Sequence, residues 1–197
     1  MGLATFAGEA FAEFQSTAAI APSSRFLAEA MAEPLPLKRA KTVVEFGPGT
    51  GVMSRELLAR LPFGARLFAF EVNPRFVEYL RDRIRDPRLE VVHMGAEEAS
   101  GELRRRNVEP AAAVLSSLGL GLLPEPVVAK LLDGAFEMLA EDGVFTQFQY
   151  VHRMRMQDGK PEHFDAGDLL EKRFPIVQRR LIVRNLPPAF VYECRKS

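Results

Sequence analysis

Val43-Val44-Glu45-Phe46-Gly47-Pro48-Gly49-Thr50-Gly51 decides the fold, because a short apolar run leads straight into three glycines at alternate positions. The pattern predicts a buried strand, a tight turn and the start of a helix. Glycine takes positive φ readily and lets a ligand approach the main chain, where a Cβ would intrude. Val52 follows the last glycine, so the stretch lacks the Gly-Lys-Ser/Thr ending of a phosphate-binding P-loop.

Two acidic residues narrow the choice of ligand for this turn. Glu45 closes the first strand, where its carboxylate can face a cationic amino-acid head but would repel a phosphate. A second apolar run ends at Glu71, twenty residues after Gly51 (71 − 51), where a carboxylate can accept from both hydroxyls of a ribose. Together these features favour S-adenosylmethionine over a nicotinamide dinucleotide; an ordinary strand-to-helix turn without a ligand is the alternative.

Strands and helices alternate from Thr42 onward, which predicts a doubly wound α/β fold. Asn73 and Pro74 form the cap and first position of the helix after the second strand. A helix after Pro124 is expected to stop at the Asp142-Gly143 turn, and residues 157–162 are expected to form a loop or a short lid.

The first two motifs resemble those of a known superfamily. Residues 45–51 resemble motif I of class I S-adenosylmethionine-dependent methyltransferases, and residues 70–74 resemble the ribose motif that follows it. Within that superfamily the chain resembles bacterial phospholipid N-methyltransferases, which methylate the amine of phosphatidylethanolamine. Four further stretches carry this likeness: Ala19–Leu27, Ser116–Leu118, Thr146–Tyr150 and Arg184–Ala189. The resemblance implies a Rossmann-like, mostly parallel seven-stranded sheet closed by a hairpin, an amino-terminal helical extension, S-adenosylmethionine as cofactor, and a lipid or lipid-like amine as acceptor.

The resemblance also implies where the cofactor binds. Many methyltransferases have an adenine-binding Asp where this chain has Gly95, so the backbone of Ala96 or the carboxylate of Glu97 is expected to replace it. Alternatively, Glu97 and Glu98 only complement the dipole of the helix that follows. In similar enzymes the segment around Pro22 folds over the cofactor, although it also reads as a plain helix cap. The expected cofactor contacts are Pro22, Ser23, Glu45, Gly47, Gly49, Gly51, Glu71, Val72, Gly95 and Ala96.

The acceptor is expected at the ends of the fourth and fifth strands. The fourth predicted strand delivers Ser116 to the edge of the sheet where ligands bind, and its hydroxyl or carbonyl can hold an amine in line for transfer. A small residue that merely makes room is the alternative. Tyr150, at the end of the fifth strand, is the second expected catalytic residue, and Arg153 and Arg155 beyond it either bind a phosphate or form a solvated basic loop.

The composition of the chain limits which partners and ligands it can have. The chain has 197 residues, of which 47% are hydrophobic, enough for one domain with a sizeable core. Basic and acidic residues number 26 each, so no overall field draws the protein to nucleic acid. One cysteine and three scattered histidines predict neither a disulfide nor a metal site. We expect residues 1–36 to form amino-terminal helices and residues 37–197 to form the cofactor-binding methyltransferase domain.

The amino-terminal segment permits two interpretations. Apolar residues from Leu3 to Phe14 recur at helical spacing, so this helix either packs on the domain as a lid or lies in a membrane interface, as the resemblance implies. Its polar face carries Glu9 and Glu13, where interfacial helices usually carry Lys or Arg. Neither a signal peptide nor a membrane-spanning stretch is expected, which predicts a cytoplasmic protein, peripheral at the inner face of the membrane if this helix binds lipid.

The function expected from these observations is S-adenosylmethionine-dependent methylation of a lipid headgroup amine, most simply that of phosphatidylethanolamine. Two alternatives remain. RNA adenine dimethyltransferases share the acid-x-Gly-x-Gly-x-Gly start, but the chain lacks their motif after the fourth strand and a basic carboxy-terminal domain. A non-catalytic cofactor-binding or membrane-binding module is the other alternative, kept open by Gly95 and by the acidic first helix.

Overall fold

The computed structural model describes residues 24–151, 154–157 and 160–197, with side chains for 24–151 and 164–197. Its strands are β1 Thr42–Phe46, β2 Arg66–Glu71, β3 Leu89–His93, β4 Ala111–Ser116, β5 Leu139–Tyr150, β6 Met154–Gln157, β7 Lys160–His163, β8 Ile176–Ile182 and β9 Ala189–Arg195. Seven of them form one sheet in the order β3-β2-β1-β4-β5-β9-β8. Strands β1 to β5 are parallel, and β9 and β8 complete the sheet as an antiparallel hairpin. The predicted doubly wound, mostly parallel seven-stranded fold is confirmed.

The helices cover both faces of the sheet. They are α1 Arg25–Ala32, α2 Val52–Arg60, α3 Pro74–Arg83, α4 Ala99–Arg105, α5 Glu125–Met138 and α6 Ala166–Leu170. Apolar residues of α1 and α2 form one core cluster with one face, and those of α4, α5 and α6 form a second cluster with the other. Along a strand the side chains alternate between the two clusters, because successive residues point to opposite faces.

The predicted helix starts are built by local hydrogen bonds. The side chain of Asn73 accepts from the N–H of Arg75, and Pro74 occupies the first turn of α3. At α1, Ser24 is the N-cap, and its side chain accepts from the N–H of Leu27. Because side-chain oxygens satisfy N–H groups that the first helical turn leaves free, the caps set where these helices begin.

Helix α1 is part of the main core. Leu27 and Met31 are fully buried in the same cluster as Val43 of β1 and Leu57 of α2. Residues 1–23, including the predicted first helix, lie outside the described residues, so a domain boundary at residue 36 stays a prediction.

Two predicted boundaries were wrong. Helix α5 ends at Met138, ahead of the Asp142-Gly143 pair, because Leu139 already pairs with Ala111 and starts β5 with a bulge. Half of the residues in the antiparallel strands β6 and β7, namely 157 and 160–162, were predicted as part of a loop or lid. The sequence carried a missed signal, since the dipeptide Asp158-Gly159 between these strands is typical of a two-residue hairpin turn.

Within the described part of the chain, no helix combines the length and apolar character that crossing a bilayer requires.

Candidate active site

The glycine-rich turn after β1 has the backbone that its sequence predicts. Gly47, Gly49 and Gly51 have φ of 68°, 54° and 78°. A Cβ on Gly47 would lie 2.5 Å from Cδ2 of Leu118, so a larger residue would add a collision to an unfavourable φ. The turn therefore presents bare main chain, packed closely against the residues that follow β4.

Glu71 joins this turn to the next one. The residue ends β2 and is 2% exposed; its Oε2 accepts from the N–H of Gly49 at 3.1 Å and its Oε1 from the N–H of Asn73 at 2.9 Å. Burial raises the pKa of this carboxyl group, while the two backbone donors act in the opposite direction. Each carboxylate oxygen can accept a further hydrogen bond, so the hydroxyls of a ribose would find preplaced acceptors.

Glu45 is fully buried at the end of β1 and is only half satisfied. Its Oε2 accepts from Oγ of Ser54 on α2 at 2.6 Å, whereas its Oε1 has no hydrogen-bond partner in the described chain. Burial raises the pKa of this carboxyl group to about 7. A buried, unpartnered carboxylate oxygen calls for an explanation. The ammonium of an amino-acid head would satisfy Oε1 and favour its charged form, so the site fits S-adenosylmethionine at this end.

A cavity opens beside the turn, between the ends of β1 and β2 and helix α5. Four of the predicted cofactor contacts line it, namely Gly47, Glu71, Val72 and Ala96. The cavity is also lined by residues that were not predicted as contacts: Phe70, Leu118, Leu123, Val127 and Leu131. Apolar walls with a carboxylate at the rim suit a flat base attached to a sugar. Val127 and Leu131 lie on α5, where their spacing indicates only an ordinary core-facing helix, so the sequence did not mark them as cavity residues.

The two acids after β3 have different roles. Glu97 folds back so closely that a Cβ on Gly95 would collide with its carboxylate, and Glu97 also lines the cavity. Glu98 forms an ion pair with Lys130 of α5. Glu97 therefore lies at the cavity, whereas Glu98 is directed to α5 at the surface.

Ser116 and Tyr150 are not brought together by the fold. Ser116 is fully buried, pairs in register with Gln147, and accepts at Oγ from the N–H of Leu118 at 3.4 Å. Tyr150 lies three residues beyond Gln147 and therefore on the opposite face, where its ring packs edge-on against Phe148 at 5.2 Å. Burial raises the pKa of the Tyr150 hydroxyl.

Three other side chains at this edge carry buried oxygens without partners in the described chain: Ser117 Oγ, Thr146 Oγ1 and Gln147 Oε1. The amide of Gln147 donates from Nε2 to the carbonyls of Leu118 at 2.8 Å and Phe148 at 2.7 Å. These two bonds fix the orientation of the amide, so Oε1 is left as a pure acceptor. Polar residues inside a buried strand were the signal that sequence reasoning passed over.

Several expected contacts cannot be placed. Pro22, Ser23 and Arg153 lie outside the described residues, and Arg155 is described only as part of the backbone of β6. Across the described ranges, no group of three or more His, Cys, Asp or Glu side chains is arranged to hold a metal ion.

A glycine turn after β1, an acid at the end of β2 and a cavity at the carboxyl edge of this sheet define a class I S-adenosylmethionine-dependent methyltransferase. Residues 43–143 match the family described as methyltransferase domain. The chain belongs to this family, and S-adenosylmethionine is its cofactor.

Relatives of known name agree with this assignment. Over 191 residues the chain is 28% identical to ornithine lipid N-methyltransferase of Singulisphaera acidiphila, covering 96% of this chain and 94% of that protein. A shorter match, 42% identical over 72 residues, links it to ribosomal RNA small subunit methyltransferase H of Burkholderia vietnamiensis, but covers only 36% of this chain and 23% of that protein.

Solved structures share the fold. The 1,6-didemethyltoxoflavin-N1-methyltransferase of Burkholderia thailandensis, solved with bound S-adenosylhomocysteine, superposes with a TM-score of 0.68 at 19% identity, over 99% of this chain and 87% of that one. Precorrin-6y C5,15-methyltransferase of Geobacter metallireducens gives a TM-score of 0.63 at 18% identity, over 87% of this chain and 88% of that one.

Proposed function

We propose that this methyltransferase methylates the amine of a lipid headgroup, such as phosphatidylethanolamine or an amino-acid lipid. The observation that carries the proposal is the similarity to an ornithine lipid N-methyltransferase over nearly the whole of both chains. That similarity extends beyond residues 43–143, the part shared with methyltransferases in general. It therefore includes the segments around α1 and the β8–β9 hairpin, which the common domain does not specify.

The cofactor would be held by the acids and the glycine turn at the ends of β1 and β2. Glu71 would accept from the ribose, Glu45 would face the ammonium, and the cavity beside Val72, Gly95 and Ala96 would take the base. Gly47, Gly49 and Gly51 would allow the main chain to approach the cofactor, with Pro22 and Ser23 completing the cover. S-adenosylmethionine would supply an electrophilic methyl group, to which the neutral amine nitrogen bonds as the carbon–sulfur bond breaks and S-adenosylhomocysteine leaves.

At the acceptor end, the protein must hold that amine neutral and in line with the methyl group. The site around Ser116, Ser117 and Gln147 offers oxygens that accept from N–H groups, which leaves the nitrogen lone pair free to attack. The surroundings are buried, and burial disfavours a protonated amine. Tyr150 would contact the substrate from the opposite face. Arg155 and Arg153 would bind the phosphate of a phospholipid, so replacing both with Ala should raise KM for a phosphate-bearing acceptor but not for an amino-acid lipid.

Residues 1–36 would form the lid or membrane-facing part, and the protein would act in the cytoplasm at the inner membrane surface. The apolar spacing from Leu3 to Phe14 supports this, although the acids on the same helix also fit a lid that stays on the protein.

The deciding experiment is methyl transfer from labelled S-adenosylmethionine to three acceptors in parallel. These are vesicles with phosphatidylethanolamine, vesicles with an amino-acid lipid, and structured RNA. Label in one lipid class supports the proposal and identifies the headgroup. Label in RNA alone would favour the alternative suggested by the partial match to the ribosomal RNA enzyme. No label in any acceptor, with cofactor binding intact, would favour a non-catalytic module.

A further inference from the structure

The end of β8 exposes apolar side chains that the core does not need. Leu181, Val183 and Leu186 are 46%, 68% and 84% exposed, and Phe26 of α1, beside them, is 39% exposed. Phe26, Leu181 and Val183 line one shallow groove, whose charged residues are Arg60, Arg180, Arg184, Glu29 and Glu33. We call residues 181–186 together with Phe26 the β8 tip. A cluster of exposed apolar side chains next to arginines marks an interaction surface.

A buried amide holds the β8 tip in place. Asn185 is only 2% exposed; its Oδ1 accepts from Oγ of Ser24 at 2.5 Å and from the N–H of Ser24 at 3.3 Å. Its Nδ2 donates to the carbonyl of Pro187 at 2.6 Å. These bonds fasten the turn between β8 and β9 to the N-cap of α1. Leu186 is therefore exposed to solvent, while the adjacent Asn185 is buried and hydrogen-bonded.

The β8 tip lies on the same edge of the sheet as the active site. Ile182 pairs with Ala189, and Ala189 pairs with Tyr150 at the carboxyl end of β5. Three strand-to-strand steps separate β8 from β4, whose end carries Ser116, so the lateral offset is about 15 Å. A surface that the β8 tip contacts would therefore face the edge where the acceptor amine must enter.

The charge of the β8 tip indicates the occupant. The guanidinium of Arg184 lies 4.1 Å from the ring centroid of Phe26, which places a cation among the exposed apolar groups. Arg180 pairs with Glu33 at 2.7 Å, and Arg25 pairs with Glu29 at 2.7 Å. The whole chain has zero net charge, so the cation at this apolar surface is a local feature. Apolar groups beside arginine match the boundary between acyl chains and anionic headgroups.

A second copy of the chain is a poorer occupant. Strand β8 is an edge strand, and pairing with another β8 would have to align the exposed polar run Gln178-Arg179-Arg180. Arginines on an edge strand oppose such pairing because they bring like charges together.

We propose that the β8 tip is the surface by which this protein docks on an anionic membrane. The purpose of docking rests on the proposed lipid acceptor, but the test measures binding and not turnover.

The test compares vesicle binding of the full chain with that of variants, by flotation on phosphatidylcholine vesicles with and without phosphatidylglycerol. Leu186→Asp and Val183→Asp should each weaken binding to anionic vesicles roughly ten-fold, since each removes an apolar contact and adds a repelled charge. Arg184→Gln should weaken it about five-fold.

The matched controls are Phe63→Asp and Arg85→Gln. Phe63 is 94% exposed but lies before β2, at the opposite edge of the sheet, and Arg85 is also exposed. Both controls should bind within two-fold of wild type, apart from a small general charge effect.

Equal binding of wild type, Leu186→Asp and Val183→Asp to anionic vesicles would overturn the proposal, as would a failure of wild type to bind them. A dimer seen by sedimentation velocity and broken by Leu186→Asp would overturn it in favour of a second copy. Methyl transfer to a short-chain aminolipid in monomeric form separates this proposal from the proposed function. Vesicle binding without any methyl transfer would contradict the proposed lipid acceptor but support the docking surface. Methyl transfer without binding that depends on the β8 tip would support the acceptor but contradict the docking surface.

Discussion

The carboxyl edge of the sheet has two regions that differ in how their polar groups are satisfied. At the ends of β1 and β2, both oxygens of Glu71 accept from main-chain N–H groups and the glycine turn is closed by its own backbone, so that Oε1 of Glu45 alone is buried there without a partner in the described chain. At the ends of β4 and β5, the oxygens of Ser117, Thr146 and Gln147 are buried without a partner in the described chain. Unmet hydrogen-bonding capacity in a buried place costs stability. The difference indicates that, apart from Glu45, the β1–β2 end has its polar groups satisfied before a ligand binds, while the β4–β5 end leaves three buried oxygens that a ligand could satisfy.

Gly47→Ala should give the largest change in stability. The substitution places a Cβ 2.5 Å from Leu118 at a φ of 68°, so strain and collision together should cost about 3 kcal/mol in the free energy of unfolding. Gly64→Ala is the matched control, because nothing lies within 4 Å of a Cβ there. Urea denaturation of both variants measures the difference; equal midpoints would show that the turn is not rigid.

Glu71→Ala should weaken binding of S-adenosylhomocysteine about 100-fold, because it removes charged acceptors for the ribose and frees the N–H groups of Gly49 and Asn73. Isothermal titration calorimetry measures the loss. Glu78→Ala, on the exposed side of α3, should leave the affinity unchanged. A Kd for Glu71→Ala close to the wild-type value would contradict the assignment of the ribose acid.

Glu45→Gln should separate stability from binding. The native pKa of this carboxyl group is raised from 4.5 to about 7, so between these pH values the native state holds the proton more tightly than the unfolded state. This group's contribution to stability therefore falls as pH rises through that window and stays low above it. At pH 8, Glu45→Gln should be more stable than wild type by about 2 kcal/mol and bind S-adenosylmethionine more weakly.

Thermal unfolding at pH 8 and at pH 5 checks this prediction, because the stabilisation of Glu45→Gln relative to wild type should be smaller at pH 5. A variant that is less stable than wild type at pH 8 would show that the buried carboxylate has a partner in the native protein.

Thr146→Val should give the smallest effect and tests whether the acceptor site extends to the face of the sheet opposite Ser116 and Gln147. Replacing a buried hydroxyl that lacks a partner with a methyl group should stabilise the fold by about 1 kcal/mol. If this hydroxyl contacts the acceptor, KM for the amine should rise about five-fold, with the affinity for S-adenosylhomocysteine unchanged. Ser116→Ala is the companion variant, since Oγ of Ser116 already accepts from Leu118. A rise in KM for Ser116→Ala but not for Thr146→Val would place the amine at Ser116 and away from Thr146.

Much of the fold could be predicted because its signals are local. The cap at Asn73 and the strand-turn-helix at residues 43–51 depend on neighbours within a few residues, whereas the closing hairpin was expected from the family resemblance. The errors arose where pairing between strands overrode local preference. Leu139 was assigned to a helix by its spacing, but it belongs to β5 because Ala111 pairs with it.

The residues of the candidate site also differ in whether a local signal predicted them. Glu45 and Glu71 were predicted from their distance to the glycines, and the structure does put both at one edge, because the carboxyl ends of parallel strands meet there. Leu118 and Gln147 were not found as contacts, since their roles depend on how β4 and β5 end relative to each other. An apolar or amide residue carries no sign of such a role in its own neighbourhood.

The sequence by itself determined the class of fold and the cofactor, and it predicted the acids that would face it, because glycine conformation, strand period and charge spacing act over short stretches of chain. Only the tertiary structure decided which polar atoms are left without partners and which apolar side chains stay outside. Ser24 and Asn185 illustrate the reason: they are 161 residues apart in the chain, yet their side chains are hydrogen-bonded. Burial and satisfaction of hydrogen bonds are properties of such distant contacts, and no local pattern encodes them.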